Sequence, residues 1–196
     1  MKLKAFDTKL TILQTALRQV RHLGYEAVSI GGLAKEVGMS KSGIFAHFKS
    51  KENLHIMVID HGVVEFTKEV FRPAFNKERG LERLRAFLDN WIEYICAEQN
   101  GGCPLLGASV EFDDRPGVVK ERVAYHLENL KDFIEKAIQM TINTGEFKKD
   151  TDCKHLAFEI YSLIIGFHIY QRTVGTSDTK KFIKKSFKNI IENNRA

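Results

Sequence analysis

Three serines stand at positions 29, 40 and 50, each just ahead of a run with helical spacing. A serine in that place is a good N-cap, because its hydroxyl accepts from a backbone N–H that the first helical turn leaves unpaired. The remaining N–H groups and the helix dipole then favour an anion at that end. Lys41 and Lys51 directly follow Ser40 and Ser50 and add positive charge at two of the three ends, and His47 can donate a hydrogen bond. Lys41, Ser42 and Gly43 are small or polar, whereas Phe45, His47 and Phe48 put three rings into four positions. Gly43 costs about 1 kcal/mol relative to alanine inside a helix, a cost that makes sense where backbone must approach another surface closely. The chemistry this set suits is contact with phosphate, of the kind that fixes position along a nucleic-acid backbone; few of its residues are candidates for base edges.

Short helices must position these residues. Residues 7–23 carry Leu10, Leu13, Leu17 and Val20 at helical spacing, with Gly24 as C-cap. Ser29 caps a helix over 30–37 whose buried side is Ile30, Leu33, Ala34 and Val37, and Gly38 stops it. Ser40 caps a helix over 41–47, and Ser50 opens a long one from Lys51 to about Phe71, ended by Pro73. Helix, four-residue turn, helix is the helix-turn-helix arrangement. Ile30, Leu33, Val37, Ile44, Phe48 and Leu54 read as its core. A small helical subdomain that only packs is the plainer reading; it leaves the glycine, the three caps and the charge unexplained. The chain of 196 residues has a formal charge of +5, and residues 1–60 hold 9 Lys+Arg against 5 acids, so +4 of it lies there. A basic head on a near-neutral body suits a polyanion partner.

Further helices are expected over 78–98, from Pro104 through Phe112, and over 116–143, 152–174 and 178–193, nine in all. The fold class is therefore all-α, with a domain over 4–64 and a second over 65–196. Hydrophobic residues make up 43% of the chain, enough for a real core. The three cysteines are an odd count with no CxxC pair, residues 1–20 lack an apolar run, and Leu163–Ile169 is too short to span a bilayer. The expectation is a cytoplasmic, reducing setting with no membrane contact. No phosphate loop, zinc spacing or dinucleotide fingerprint occurs, so neither cofactor, metal nor enzyme activity is expected. Glu111, Asp113, Asp114 and His126 could be metal ligands, but read more economically as a helix end and a solvated turn. Cys103 before Pro104 could be a redox sensor, its thiol acidified near a helix start.

The stretch SIGGLAKEVGMSKSGIFAHFKSKENL, residues 29–54, resembles the DNA-binding signature of the TetR/AcrR family of bacterial transcriptional regulators. The resemblance rests on Ala34, Gly38, Ser40, Phe48, Lys51 and Leu54 with their mutual spacing, and extends to Ala16 and Gly24. It implies a nine-helix architecture in which a three-helix head, with its helix-turn-helix at 29–48, sits on a C-terminal helical bundle. It implies a homodimer that reads a palindromic double-stranded operator and, as a repressor, is released by a small-molecule effector. Ser29, Ser40, Lys41, Ser42, Gly43, Phe45, His47, Ser50 and Lys51 are the candidate DNA-binding residues. Phe45 departs from the family, which usually carries a tyrosine whose hydroxyl reaches a phosphate; its ring can still pack on sugar or a thymine methyl. An activator on the same scaffold, or a redox-sensing or small-molecule-binding protein using Cys103 with reduced DNA binding, are the alternatives.

The stretch GGCPLLGASVEFDDRPGVVKERV resembles a subgroup of that family without naming an effector. His61, Phe87, Trp91, Tyr94, Leu106, Ser109, Phe112, Tyr125, Phe133 and His168 are the candidate effector-pocket residues, although an aromatic at helical spacing is more often simply core. No lone charge stands out among them, which favours an apolar or amphipathic effector. The helices at about 152–174 and 178–193 are expected to pair with their copies. Leu156, Ile160, Leu163, Ile164, Phe167 and Ile169 make the first too apolar for a monomer surface, and Phe182, Ile183, Phe187, Ile190 and Ile191 form a stripe on the second.

Overall fold

The structure, a computed structural model, describes residues 2–97 and 101–196, with side chains from Asp7 onward. The described residues form nine helices: α1 (Lys2–Leu23), α2 (Ile30–Glu36), α3 (Lys41–Phe48), α4 (Lys51–Phe66), α5 (Leu81–Cys96), α6 (Pro104–Glu111), α7 (Val118–Asn143), α8 (Cys153–Thr173) and α9 (Thr179–Asn194). They contain no strand, only an isolated antiparallel bridge between Phe147 and Arg195. The chain divides into two compact units.

The first unit is the chain up to Glu65 together with Cys103–His126. Its core is Ile12, Ala16, Leu17, Leu33, Ile44, Phe48 and Leu54, all buried. α1 begins ahead of Asp7, since nothing before Gly24 breaks a helix. The turn after α2 is a Schellman close: Gly38 has φ +68°, and the Met39 N–H donates to the Ala34 carbonyl at 2.9 Å. That left-handed glycine is what lets α3 start after only four intervening residues from the end of α2. Tyr25, fully buried, sets its ring edge against His55 and Phe112 at 5.7 and 5.6 Å between centroids, and its hydroxyl donates to the Pro104 carbonyl. The segment between α1 and α2 and the helix α6 therefore share one core.

The second unit is Phe66–Gly102 with Leu127–Ala196. Here the structure corrects the expected end at Pro73. α4 is followed without a break by a π-helical turn, Thr67–Phe71, and by one more helical turn, Arg72–Phe75. The Arg72 N–H reaches back five residues to the Thr67 carbonyl. The wider turn gives the proline ring room against the preceding carbonyls, so the helix passes through Pro73 instead of stopping. Asn90 on α5 donates to the Val70 carbonyl at 3.0 Å, tying the π turn to the next helix. Asp152 caps α8 by accepting from the Lys154 and His155 N–H groups. The last two helices bury more of themselves within the chain than the sequence suggests. Leu156, Ile160, Ile164 and Phe167, with Ile183, Phe187, Ile190 and Ile191, are core residues of this unit. What faces outward is Phe158, 67% exposed, with Ile169, Tyr170 and Phe182.

Candidate nucleic-acid interface

All three serines cap. The hydroxyls of Ser29, Ser40 and Ser50 accept from the N–H groups of Gly32, Gly43 and Asn53, each at 3.0 Å. Ser42 adds its hydroxyl to that of Ser40, also at 3.0 Å. The structure supplies a local reason for Gly43. A Cβ there would stand 3.2 Å from the Ser40 hydroxyl and 3.3 Å from the Met39 methyl, and at Gly32 it would stand 3.2 Å from the Ser29 hydroxyl. Each glycine donates to the cap it leaves room for, so close approach of a foreign surface is not needed to account for either.

The outer face of α3 carries Lys41, Ser42, Phe45, Ala46 and Lys49, all exposed, at the i, i+4, i+8 spacing of one helix side. Ile44 and Phe48 turn inward. Phe45 is 52% exposed and belongs to this outer face. His47 is half-buried, with its ring 6.2 Å from that of Phe48, so it lies at the edge of the face. Lys41 lays its stem across Gly31, where a Cβ would meet its Cε at 3.1 Å. Ala46 and Lys49 were not among the sequence candidates, although the four-residue step from Ser42 and Phe45 leads to them.

Lys51 is not the free cation the sequence suggested. Its Nζ donates to the Glu26 backbone carbonyl at 3.2 Å and pairs with the Glu26 carboxylate at 3.1 Å, and the other Glu26 oxygen pairs with Arg115 at 3.1 Å. The Lys51 hydrogen bond holds the Glu26 carboxyl below the usual carboxylate range. Ion pairs this exposed are worth about 0–1 kcal/mol, so a phosphate can displace Glu26 at small cost. The segment bearing Glu26 is itself held by Glu111, the last residue of α6, whose carboxylate accepts from the Tyr25 and Glu26 N–H groups at 2.8 and 2.6 Å. Gly24, with φ +85°, lets the chain pass: a Cβ there would stand 3.0 Å from a Glu111 oxygen. The four candidate metal ligands are not assembled. Glu111 is engaged with backbone amides, while His126 bonds Asp60 at 2.7 Å, beside a bidentate Arg122–Asp60 pair at 2.6 and 2.8 Å. No group of three or more His, Cys, Asp or Glu able to hold a metal occurs among the described residues.

A capped helix-turn-helix with a small, cationic outer face is a DNA-binding shape. Comparison with known proteins agrees. Residues 12–56 match the family of bacterial regulatory proteins called tetR, and residues 80–187 match the Tetracyclin repressor-like C-terminal domain. The chain belongs to the TetR family. It is a DNA-binding transcriptional regulator with the all-α TetR architecture. A TetR transcriptional regulator from Chloroflexus aurantiacus J-10-FL superposes with a TM-score of 0.88 over 100% of this chain and 98% of that one, at 25% identity. AibR, solved with isovaleryl coenzyme A and operator DNA, superposes with a TM-score of 0.72 over 92% and 95% of the two chains, at 21% identity. The nucleoid occlusion factor SlmA of Haemophilus influenzae is 23% identical over 181 residues, 91% of this chain and 75% of that protein. No described helix of this TetR-family chain is long and apolar enough to cross a membrane.

The ten effector-pocket candidates fall into two groups. In the first unit, Leu106 and Phe112 are core, Ser109 donates to the Leu106 carbonyl of its own helix at 2.8 Å, and His61 is half-buried beside Glu65. Tyr125 is a surface residue, 53% exposed, with the Arg122 guanidinium 5.2 Å over its ring. In the second unit, Phe87, Trp91 and Phe133 meet Phe66 and Phe71 in one aromatic cluster, with Phe71–Phe133 centroids at 4.4 Å and Phe66–Trp91 at 5.3 Å. Tyr94 joins through Phe66 at 5.5 Å. Phe66 and Phe71 were missed, because a regular α-helix would not turn them to one cluster and the π turn was not legible. The buried Trp91 Nε1 and His168 Nδ1 have no hydrogen-bond partner among the described residues. Burial first, and then Arg172, push the His168 imidazole down to about 4. Cys103 is only 3% exposed, which closes its thiol to oxidants and removes the physical support for the redox-sensor alternative. Burial raises the thiols of Cys96 and Cys153.

Proposed function

We propose that this regulator is a cytoplasmic repressor that binds a short palindromic operator as a homodimer and is released by a small apolar or amphipathic effector. The observation that carries the reading is the outer face of α3: small and cationic residues, a capped N-terminus, and Ser42 and Phe45 left exposed by the described residues. Residues 4–64 would act as the DNA-binding head and 65–196 as the effector and dimerisation part. Lys41, Ser42 and Gly43 would enter the major groove. Ser29, Ser40, Ser50 and His47 would meet phosphate, and Lys51 would do so on leaving Glu26. Phe45 would pack on sugar or a thymine methyl. AibR, with its coenzyme A thioester and operator, is a member of this fold that holds both kinds of partner.

The aromatic cluster of the second unit supports an effector with an apolar body, and the unpartnered Trp91 Nε1–H offers it one polar anchor. For the dimer, α8 and α9 leave an apolar groove of about 310 Å³ around Gly166, Tyr170 and Phe182, and space beside Gly166 is open. Exposed large apolar side chains on two adjacent helices favour a second copy as their cover. The test is a mobility-shift and anisotropy titration on the DNA flanking the chain's own gene, with wild type and Lys51→Ala. Lys51→Ala should weaken binding to every sequence alike and lower the log–log salt slope by about 1 for each phosphate charge no longer neutralised. Unchanged affinity and slope would remove Lys51 from the interface, and no binding to any duplex at low salt would remove the reading itself.

A further inference from the structure

A cavity of about 450 Å³ opens in the first unit, and none of the outer-face residues of α3 or of the aromatic cluster lines it. Lys51, Arg115 and Lys120 line it with His55 and Gly117, and Glu26 and Glu52 are the acids in its wall. Three features make this a place for an oxyanion that also carries a hydrogen-bond donor. First, the Glu26 carboxylate bridges Lys51 and Arg115 with one oxygen each, at 3.1 Å, so the two cations are already spaced to share a carboxylate or phosphate. Second, the cavity holds the N-terminus of α7, a helix of 26 residues. Gly117 is its N-cap by the Glu121 N–H to Gly117 carbonyl bond; with φ +132° and open space where a Cβ would sit, it brings no side chain to the first-turn N–H groups.

Third, His55 is 3% exposed and its Nε2 has no partner among the described residues. The Tyr25 backbone hydrogen-bonds the same ring, which assigns that bond to Nδ1 and leaves Nε2 as a lone-pair acceptor. Burial and the neighbouring Lys51 hold this imidazole below its usual range and hence neutral near pH 7. A buried acceptor of this kind is normally satisfied, and a donor on the ligand satisfies it.

We propose that this cavity is a binding site for a small oxyanion carrying a hydroxyl: the anionic group takes the place of Glu26 between Lys51 and Arg115, and the hydroxyl donates to His55. Glu26 is the intramolecular stand-in that the ligand displaces. The site goes beyond the operator and effector reading, and it is tested without DNA. Occupancy would also compete for Lys51, so the same ligand would lower operator affinity if Lys51 meets phosphate as proposed above.

The experiment uses the full chain and three probes at fixed ionic strength: malate, succinate, which lacks the hydroxyl, and inorganic phosphate. Binding is read by calorimetry and by amide chemical shifts of residues 115–121. Malate should bind saturably, more tightly than succinate, and shift the α7 first-turn amides. Glu26→Gln removes the competing carboxylate and should tighten malate by about fivefold, the scale of losing two exposed ion pairs. Arg115→Gln, at a half-exposed side chain and with folding checked by its thermal melt, should abolish saturation. Three results would overturn the proposal: no saturable response to any probe in Glu26→Gln, equal malate binding by Arg115→Gln and wild type, or equal binding of malate and succinate.

Discussion

The buried histidine of α8 should make the protein acid-sensitive, and the size of the effect follows from its surroundings. His168 is buried, its Nδ1 has no partner among the described residues, and Gly102 lies so close that a Cβ there would stand 2.7 Å from its Nε2. Burial, and secondarily Arg172, depress its pKa from 6.5 to about 4. The folded value lies below the unfolded one, so on acidification the unfolded chain takes up the proton first. The corresponding stability is fully present above about pH 6.5 and is lost as the pH falls toward 4. A shift of this size corresponds to roughly 3 kcal/mol when the loss is complete, of which about 2 kcal/mol is gone by pH 5. His168→Gln keeps a polar side chain of similar reach but cannot titrate. Urea unfolding of both proteins at pH 7 and pH 5, at one protein concentration, isolates this contribution, because His55 and the carboxylates titrate in both. The wild type should lose about 2 kcal/mol more than the variant over that interval. Equal losses would refute the argument, since they would mean that His168 stays partnered or solvated in the folded chain.

Two further outcomes follow from particular contacts. Glu111→Ala strands the Tyr25 and Glu26 N–H groups, so it should cost about 2 kcal/mol and lower the melting temperature by roughly 4–8 °C for a chain of this size. Glu111→Gln should recover part of that loss, and a Glu111→Ala melt within a degree of wild type would show that the two amides find other acceptors. Phe182→Asp places a charge on the outward side of α9 without touching the buried Ile183, Phe187, Ile190 and Ile191. If the wild type is the proposed dimer, sedimentation at low micromolar concentration should therefore show the variant as a folded monomer; a dimeric variant would move the interface elsewhere.

The three capped helix starts were legible locally, whereas Ile30 and Val37, expected in the core, are only half-buried. Cap chemistry needs only a serine and the next three residues, so Ser29, Ser40 and Ser50 announced three helix starts, and the structure has α2, α3 and α4 there. The inward turn of Ile44 and Phe48 follows from a four-residue step. The same step, applied to Ser42 and Phe45, leads to Ala46 and Lys49. Pro73 misled because proline stops a regular helix, and the π turn ahead of it, whose Val70 carbonyl accepts from Asn90 20 residues away in sequence, leaves no local signature. Gly43 looked like an opening for a partner until its crowding by Ser40 and Met39 was visible.

By itself the sequence determined the starts of the three serine-capped helices, the basic N-terminal head and the helix-turn-helix, because each depends on neighbours within a few residues. Tertiary structure alone decided which charges are free. Lys51 and Lys41 are indistinguishable along the chain, yet one is paired with Glu26, itself bridged to Arg115, and the other lies exposed over Gly31. It also decided that Glu111 holds the segment after α1, that the apolar residues of α8 and α9 divide into core and surface, and that the Nε2 of a buried His55 has no partner among the described residues. Those arrangements join residues far apart in the chain, as Tyr25 and Glu111 are, and are set by packing that no local pattern encodes.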